Sequence, residues 1–153
     1  KDRLNNAIAR AKREQEKAVV LFVDLDGFKA VNDTLGHDAG DLVLQEVAVR
    51  LEKSVREIDT VARIGGDEFL VILGGIHQFS DVESIAIKII RSINQPYAKI
   101  DAAIGLGSSL GIAFYPDHGS DADHLIKCAD AAMYAIKRSG KNNYSIYQNS
   151  CDL

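Results

Sequence analysis

The chain has 153 residues, long enough to bury a sizeable core and within the usual range of one domain. Apolar residues make up 46% and charged residues 26%, which excludes disordered, collagen-like and coiled-coil classes, and no apolar run approaches the ~18 residues of a membrane helix. Eighteen basic against 22 acidic residues give a formal charge of −4, which lacks the basic field of a general nucleic-acid binder but allows a local basic pocket.

Residues 3–16 show weak helical spacing (Leu4, Ile8, Ala11) among many charges. Residues 18–23, an apolar run rich in valine, read as a buried central strand that stops at Asp24-Leu25-Asp26-Gly27. Residues 28–35 read as a short helix stopped by Gly36. Residues 39–56 read as a long amphipathic helix with Leu42, Val43, Val47, Val49 and Leu51 near one stripe. Segments 60–64 and 68–73 flank Gly65-Gly66, a two-glycine hairpin signal. Residues 81–93 repeat Val82, Ile85, Ile89, Ile90 and Ile93 at helical spacing. Residues 97–104 and 107–114 read as two strands around Gly105. Ser120 or Asp121 caps a helix running to about Ser139, Gly140 ends it, and 144–147 is a last short strand. The hairpin interrupting the alternation predicts an α+β fold: a βαββαβ core with a mixed central sheet flanked by helices.

Several motifs fail. Gly140-Lys141 continues into Asn142, with Ala135 where a phosphate loop needs its first glycine. Gly105 and Gly107 are followed by Leu110 where a dinucleotide fingerprint needs glycine, and the four histidines show no metal spacing. Cys128 and Cys151 make no zinc pattern and no CxxC, the usage of a reducing compartment. What remains is acidic. Asp24 and Asp26 end a buried strand, and Asp67 and Glu68 sit at a glycine turn between two others. Buried carboxylates are costly without compensation. Asp26 reads either as a helix cap or as part of an acidic site. Asp67 and Glu68 read either as a charged hairpin tip or, with Asp24, as hard oxygen ligands for Mg²⁺ beside substrate phosphates. Adjacent strands would bring the two groups together, the common arrangement for nucleotidyl transfer.

Arg63-Ile64-Gly65-Gly66-Asp67-Glu68-Phe69 resembles the signature of the GGDEF family, the bacterial diguanylate cyclases. Further blocks stand in the family's order and spacing: Phe22 to Lys29, Asn32-Asp33, Gly36 to Asp41, and Ala129 to Lys137. The resemblance covers about residues 3–148 and implies a single GGDEF domain over 1–153, with its core at about 17–148. It also implies a fold similar to polymerase palm and class III nucleotide cyclase domains. Lacking an initiator methionine, the chain reads as a fragment of a larger protein. Residues 95–119 resemble GGDEF domains fused to an EAL phosphodiesterase, so a fused sensory domain, EAL domain or both is expected.

The resemblance implies condensation of two GTP into cyclic di-GMP and two pyrophosphates, across a transient homodimer, without nucleic acid as a partner. By this resemblance Asp24, Asp67 and the Leu25 carbonyl ligate Mg²⁺, with Mn²⁺ as the alternative ion, and Glu68 either joins them or accepts the hydroxyl proton. Asn32 and Asp41 match guanine-reading positions. Lys29, Lys137 and Lys141 match phosphate-holding positions, helped by the Gly27 and Phe28 amides, and Gly65 and Gly66 let the backbone approach the nucleotide. Arg56-Glu57-Ile58-Asp59, five residues before Gly65, matches the inhibitory RxxD site for product, with Lys88 as its third member. The alternative is a catalytically silent module that binds GTP or cyclic di-GMP and regulates a neighbour. A cytoplasmic location is expected, with a membrane anchor left open for the full-length protein.

Overall fold

The structure, a computed structural model, describes residues 2–100 and 104–148. In chain order it contains α1 (Asp2–Glu14), β1 (Lys17–Asp26), α2 (Phe28–Leu35), α3 (His37–Ser54), β2 (Thr60–Arg63), β3 (Glu68–Ile76), α4 (Phe79–Asn94), β4 (Gly107–Tyr115), α5 (Ala122–Ser139) and β5 (Asn143–Ile146). The sheet order is β2-β3-β1-β4-β5. β1 pairs antiparallel with both β3 and β4, β2 with β3 likewise, and β5 lies parallel to β4. This is the mixed, helix-flanked α+β sheet that the sequence predicts.

β1 sits at the centre because its run is apolar on both faces. Val19, Leu21, Val23 and Leu25 pack with α2, α3 and α4, whereas Val20 and Phe22 pack with α1 and α5. Burial of each such side chain contributes about 1.5–3 kcal/mol. α5 lies unusually close to β4. A Cβ at Gly111 would stand 1.8 Å from the Ala129 carbonyl oxygen and 2.3 Å from the Met133 nitrogen, so only glycine permits this approach. Among the described residues no helix is long and apolar enough to cross a membrane.

Several expectations need correction. Residues 97–100 form a turn, with Ile100 N–H donating to the Tyr97 carbonyl at 3.0 Å, and Ile104 lies outside any strand. Residues 101–103 of that predicted strand lie outside the described residues. The cause is Arg50, whose guanidinium binds the Ser92, Gln95 and Pro96 carbonyls and stacks 3.9 Å over the Tyr97 ring. These contacts hold residues 95–97 against α3 and α4 instead of the sheet. Leu42 and Val49 are exposed; the buried stripe of α3 is Val43, Leu44, Val47 and Leu51. The β2–β3 connection is a four-residue loop, Ile64 to Asp67, closed by Ile64 N–H donating to the Glu68 carbonyl at 2.9 Å. Neither of its glycines has a positive φ, so it is not a two-residue glycine hairpin. Asp121, not Ser120, caps α5, its Oδ1 accepting from His124 N–H at 2.9 Å.

Gly111→Ala is expected to lower stability by about 3 kcal/mol, because backbone must move. Gly74→Ala, where no atom lies within 4 Å of the added Cβ, stays within about 0.5 kcal/mol of the parent. Urea unfolding of both variants measures the contrast.

Candidate active site

The same alternation that buries Val20 and Phe22 against α5 carries Asp24 and Asp26 onto the α5 face at the end of β1. Glu68 lies directly across from Asp24 on β3, and Ser109 across from it on β4. Three strands and one helix therefore meet around these carboxylates.

Asp26 is buried and fully compensated. Ser109 Oγ lies 2.9 and 3.0 Å from its two oxygens, Asn142 N–H donates at 2.8 Å, and Lys137 Nζ pairs with it at 2.8 Å. It is not a helix cap: α2 starts after Gly27 (φ 89°) with no side-chain cap. The left-handed φ favours glycine there, and a Cβ would also stand 3.2 Å from the Gly105 carbonyl oxygen.

Asp24 is compensated less well. Its Oδ1 is buried without a hydrogen-bond partner, and Lys137 Nζ stands 3.6 Å away, close enough for attraction but not for a hydrogen bond. Burial pushes its pKa from 3.8 up to about 6; Lys137 opposes the rise, and the Asp67 and Glu68 charges add to it. Glu68 is likewise raised, by burial first and then by Asp130 of α5 and by Asp67. Burial also raises Asp130.

The turn before Glu68 has its own fastening. Leu25 N–H donates to the Asp67 carbonyl at 3.1 Å, which ties the loop to the end of β1. Arg63 Nε donates to the Gly65 and Gly66 carbonyls at 3.0 and 3.1 Å, and its Nη2 to Gly66 at 2.9 Å. A Cβ on Gly65 would stand 2.8 Å from Glu68 Oε1, so the carboxylate of Glu68 folds beneath it; Gly66 faces open space.

The family resemblance implies a phosphate-holding role for Lys137 and a metal-ligating carbonyl at Leu25. In the structure Lys137 Nζ donates to that Leu25 carbonyl at 3.1 Å while pairing with Asp26 and Asp24. Burial works against its charge, but the hydrogen bond to Asp26 and the charges of Asp24, Asp26 and Asp67 outweigh it, and its pKa is raised. Among the described residues no three His, Cys, Asp or Glu side chains are grouped to hold a metal ion. The donor chemistry nonetheless fits Mg²⁺. The unpartnered Asp24 oxygen is a hard anionic donor short of positive charge, with Glu68 beside it and the Asp67 charge within range.

Asn32 and Asp41 stand on the other side of the same sheet end. A Cβ at Gly40 would meet Asn32 Oδ1 at 1.8 Å, so Gly40 makes the room in which the Asn32 amide lies. Asp41 is exposed and lines a cleft of about 430 Å³ with Leu44, Val61, Arg63 and Phe69. Phe28 buries its ring in the core, and Lys29 is exposed on α2. Lys141 is exposed at φ 65°; its N–H donates to the Ile136 carbonyl at 2.9 Å, and the next residue, Asn142, reaches Asp26.

Arg56 and Asp59 do not share a helical turn, because α3 ends at Ser54. They close a turn in which Asp59 N–H donates to the Arg56 carbonyl at 3.0 Å. Arg56 Nε and Nη2 bind the Asp59 carboxylate at 2.9 and 2.8 Å, and Nη2 also donates to the Gly74 carbonyl. A cleft of about 440 Å³ beside them is lined also by Arg3, Glu57 and Thr60. Lys88 is exposed on α4 and is not among the lining residues.

Ser109, Asn142, Asp130 and Arg3 carry no role in the sequence pattern, and Arg63 none apart from its place in the signature. Of these, Ser109 carries a signal, one of two adjacent hydroxyls, Ser108 and Ser109, at the start of a largely apolar strand.

The mixed five-stranded sheet with acidic groups at the end of its central strand defines a palm-like α+β domain. A family model described as "Diguanylate cyclase, GGDEF domain" matches residues 1–143, and the chain belongs to the GGDEF family. It is 45% identical over 149 residues to the bifunctional diguanylate cyclase/cyclic di-GMP phosphodiesterase MucR of Pseudomonas aeruginosa, covering 97% of this chain and 22% of MucR. It is 42% identical over 142 residues to the diguanylate cyclase TpbB of the same species, covering 92% of this chain and 33% of TpbB. The crystal structure of the TpbB GGDEF domain superposes with a TM-score of 0.92 at 39% identity, over 96% of this chain and 92% of that one. The chain thus spans between a fifth and a third of these two curated relatives.

The raised pKa of Asp24 sets the sign of a pH effect. The folded protein retains a proton that the unfolded chain releases, so the stability linked to Asp24 is full below pH ~4 and is lost as pH rises through about 6. Asp24→Asn is expected to stabilise the protein at pH ~7.5 by up to about 3 kcal/mol, and the gain disappears near pH ~4. Urea unfolding in the presence of a chelator, at both pH values, measures it.

Proposed function

We propose that this domain is a diguanylate cyclase that condenses two GTP into cyclic di-GMP with release of two pyrophosphates. The observation that carries the reading is the pairing of Asp24 with Glu68 across β1 and β3, beside a glycine turn that carries Asp67, in a signature with no position degraded.

In this reading Asn32 and Asp41 select guanine. The Asp41 carboxylate accepts from the N1–H and N2–H₂ edge, which adenine does not offer, and the Asn32 amide donates to and accepts from the same base. Lys29 and Lys141, with the Gly27 and Phe28 amides at the start of α2, hold the β- and γ-phosphates. Lys137 joins them once the triphosphate arrives. Asp24, Asp67 and the Leu25 carbonyl would hold Mg²⁺ or Mn²⁺, with Glu68 adjacent. When bound, that ion offsets the triphosphate charge and polarises the reacting phosphate. Glu68, its proton affinity raised by burial and Asp130, accepts the proton of the attacking 3′-hydroxyl. One domain holds one set of these residues and the product needs two nucleotides, so two domains meet face to face.

The single domain reading, a cytoplasmic location and covalent linkage to sensory or EAL domains complete the proposal. The name of MucR, which joins cyclase and phosphodiesterase, supports such linkage. The second reading, a silent GTP- or cyclic di-GMP-binding module that regulates a neighbour, is favoured instead by a relative named for phosphodiesterase activity alone, PdeR of Escherichia coli, 36% identical over 146 residues. Incubation with GTP and Mg²⁺, followed by chromatography for cyclic di-GMP, separates the two. Asp67→Asn and Glu68→Gln are each expected to lower product formation by about 100-fold or more while the fold survives. Turnover within a few-fold of the parent in both variants rules the cyclase reading out.

Product feedback is proposed at the Arg56–Asp59 cleft. Arg56 spends Nε and Nη2 on Asp59 and Gly74, and Nη1 has no protein acceptor among the described residues, so it can donate to a phosphate or a guanine edge. Lys88 is the third member proposed from sequence. Arg56→Ala is expected to weaken cyclic di-GMP binding and leave the affinity for a non-hydrolysable GTP analogue unchanged, as read by calorimetry. Equal dinucleotide binding by parent and variant reduces the RxxD to an ion pair.

A further inference from the structure

Two atoms proposed to face a metal ion, and the buried carboxylate beside them, are already engaged by one side chain. Lys137 Nζ lies 3.1 Å from the Leu25 carbonyl, 2.8 Å from Asp26 Oδ1 and 3.6 Å from Asp24 Oδ1. The ammonium reaches this point because α5 is pressed against β4 at Gly111, one helical turn and more before Lys137. Lys137 is about one-fifth exposed and Asp26 about one-tenth, so solvent screens the pair only partly.

We propose that Lys137 is a tethered counter-cation that competes with the divalent ion for Asp24 and the Leu25 carbonyl, and that nucleotide phosphates relieve the competition. The inference rests on the GTP-binding reading above and adds an order of events to it. A divalent ion approaching Asp24 alone meets a positive charge at less than 4 Å and a carbonyl that is already accepting a hydrogen bond. A triphosphate offers Lys137 several anionic oxygens in exchange for one carbonyl and a share of two carboxylates. Drawing the ammonium toward the phosphates frees the Leu25 carbonyl and leaves Asp24 uncompensated. The site then takes the ion most strongly when the nucleotide is in place. Asp26 does not follow, because Ser109 and the Asn142 N–H still hold its oxygens. Lys137 is in this sense a positioning residue for the metal as well as a phosphate contact.

The test reads metal binding directly. Mn²⁺ is titrated into the protein without nucleotide, and free Mn²⁺ is followed by electron paramagnetic resonance. Lys137→Gln is expected to bind Mn²⁺ about tenfold or more tightly than the parent. Lys137→Arg, which keeps the charge, binds like the parent. Adding Asp24→Asn to Lys137→Gln abolishes the gain, which places the ion at Asp24. Should Lys137→Gln fail to fold, as judged by circular dichroism, the parent protein carries the test. On titration with Mg²⁺ its Lys137 ammonium signal in ¹⁵N spectra is expected to shift together with the Asp24 carboxyl carbon. Equal Mn²⁺ affinity in parent and Lys137→Gln overturns the proposal, as does an Asp24 response with no change at Lys137. Cyclic di-GMP formation is scored separately. An active parent with unchanged Mn²⁺ affinity in Lys137→Gln defeats this inference alone, and an inactive parent whose variant gains affinity defeats only the cyclase reading.

Discussion

Asp26 is the fastening on which the site depends. It is buried at the end of the central strand, and it accepts from Ser109 of β4, from the backbone of Asn142 after α5, and from Lys137 on α5. A buried carboxylate with fewer partners would be strongly destabilising. With these partners it fixes the end of β1 relative to β4, to the last turns of α5 and to the loop beyond. Asp24, two residues earlier, sits in the same frame without the same compensation, and its raised pKa follows from that difference. One strand end thus carries one satisfied carboxylate that holds the structure and one unsatisfied carboxylate that is available for chemistry.

The acidic end is built on conflict between stability and function. The charges of Asp67 and Glu68 add to the cost of an ionised Asp24, and those of Asp130 and Asp67 to the cost of an ionised Glu68. Nothing in the packing of β1 requires an acid at position 24; an apolar residue would continue the row of Val20 and Phe22. The carboxylates persist against the folding preference of the strand, which is how functional sites often declare themselves.

Much of this was legible in the sequence because it rests on local pattern. The valine-rich run of 18–23 placed β1, the helical repeats placed α3 and α4, and the signature placed the loop between β2 and β3. Where the sequence misled, a distant residue decided the outcome. The 97–104 segment looks like a strand by composition, yet Arg50, more than 40 residues earlier, captures its preceding carbonyls. The helix read over 39–56 stops at Ser54, and Arg56 reaches the Gly74 carbonyl, 18 residues on, while it pairs with Asp59 across a turn. Lys137 could be matched to phosphate by family pattern, but its grip on Leu25 and Asp26 depends on how closely α5 lies on the sheet. No spacing along the chain encodes that separation.

That closeness is set at Gly111, where the backbone of α5 at Ala129 and Met133 rests directly on the backbone of β4. Side-chain interfaces drift as residues change, since each new volume moves the elements apart or together. A contact between two main chains has no side chain to exchange, so it behaves as a gauge block. Neighbouring core positions can vary in size while the reach of α5 toward the carboxylates stays constant. The geometry of the charged end is thereby insulated from substitution in the hydrophobic layer beneath it, and the domain can diversify its interior without recalibrating its chemistry.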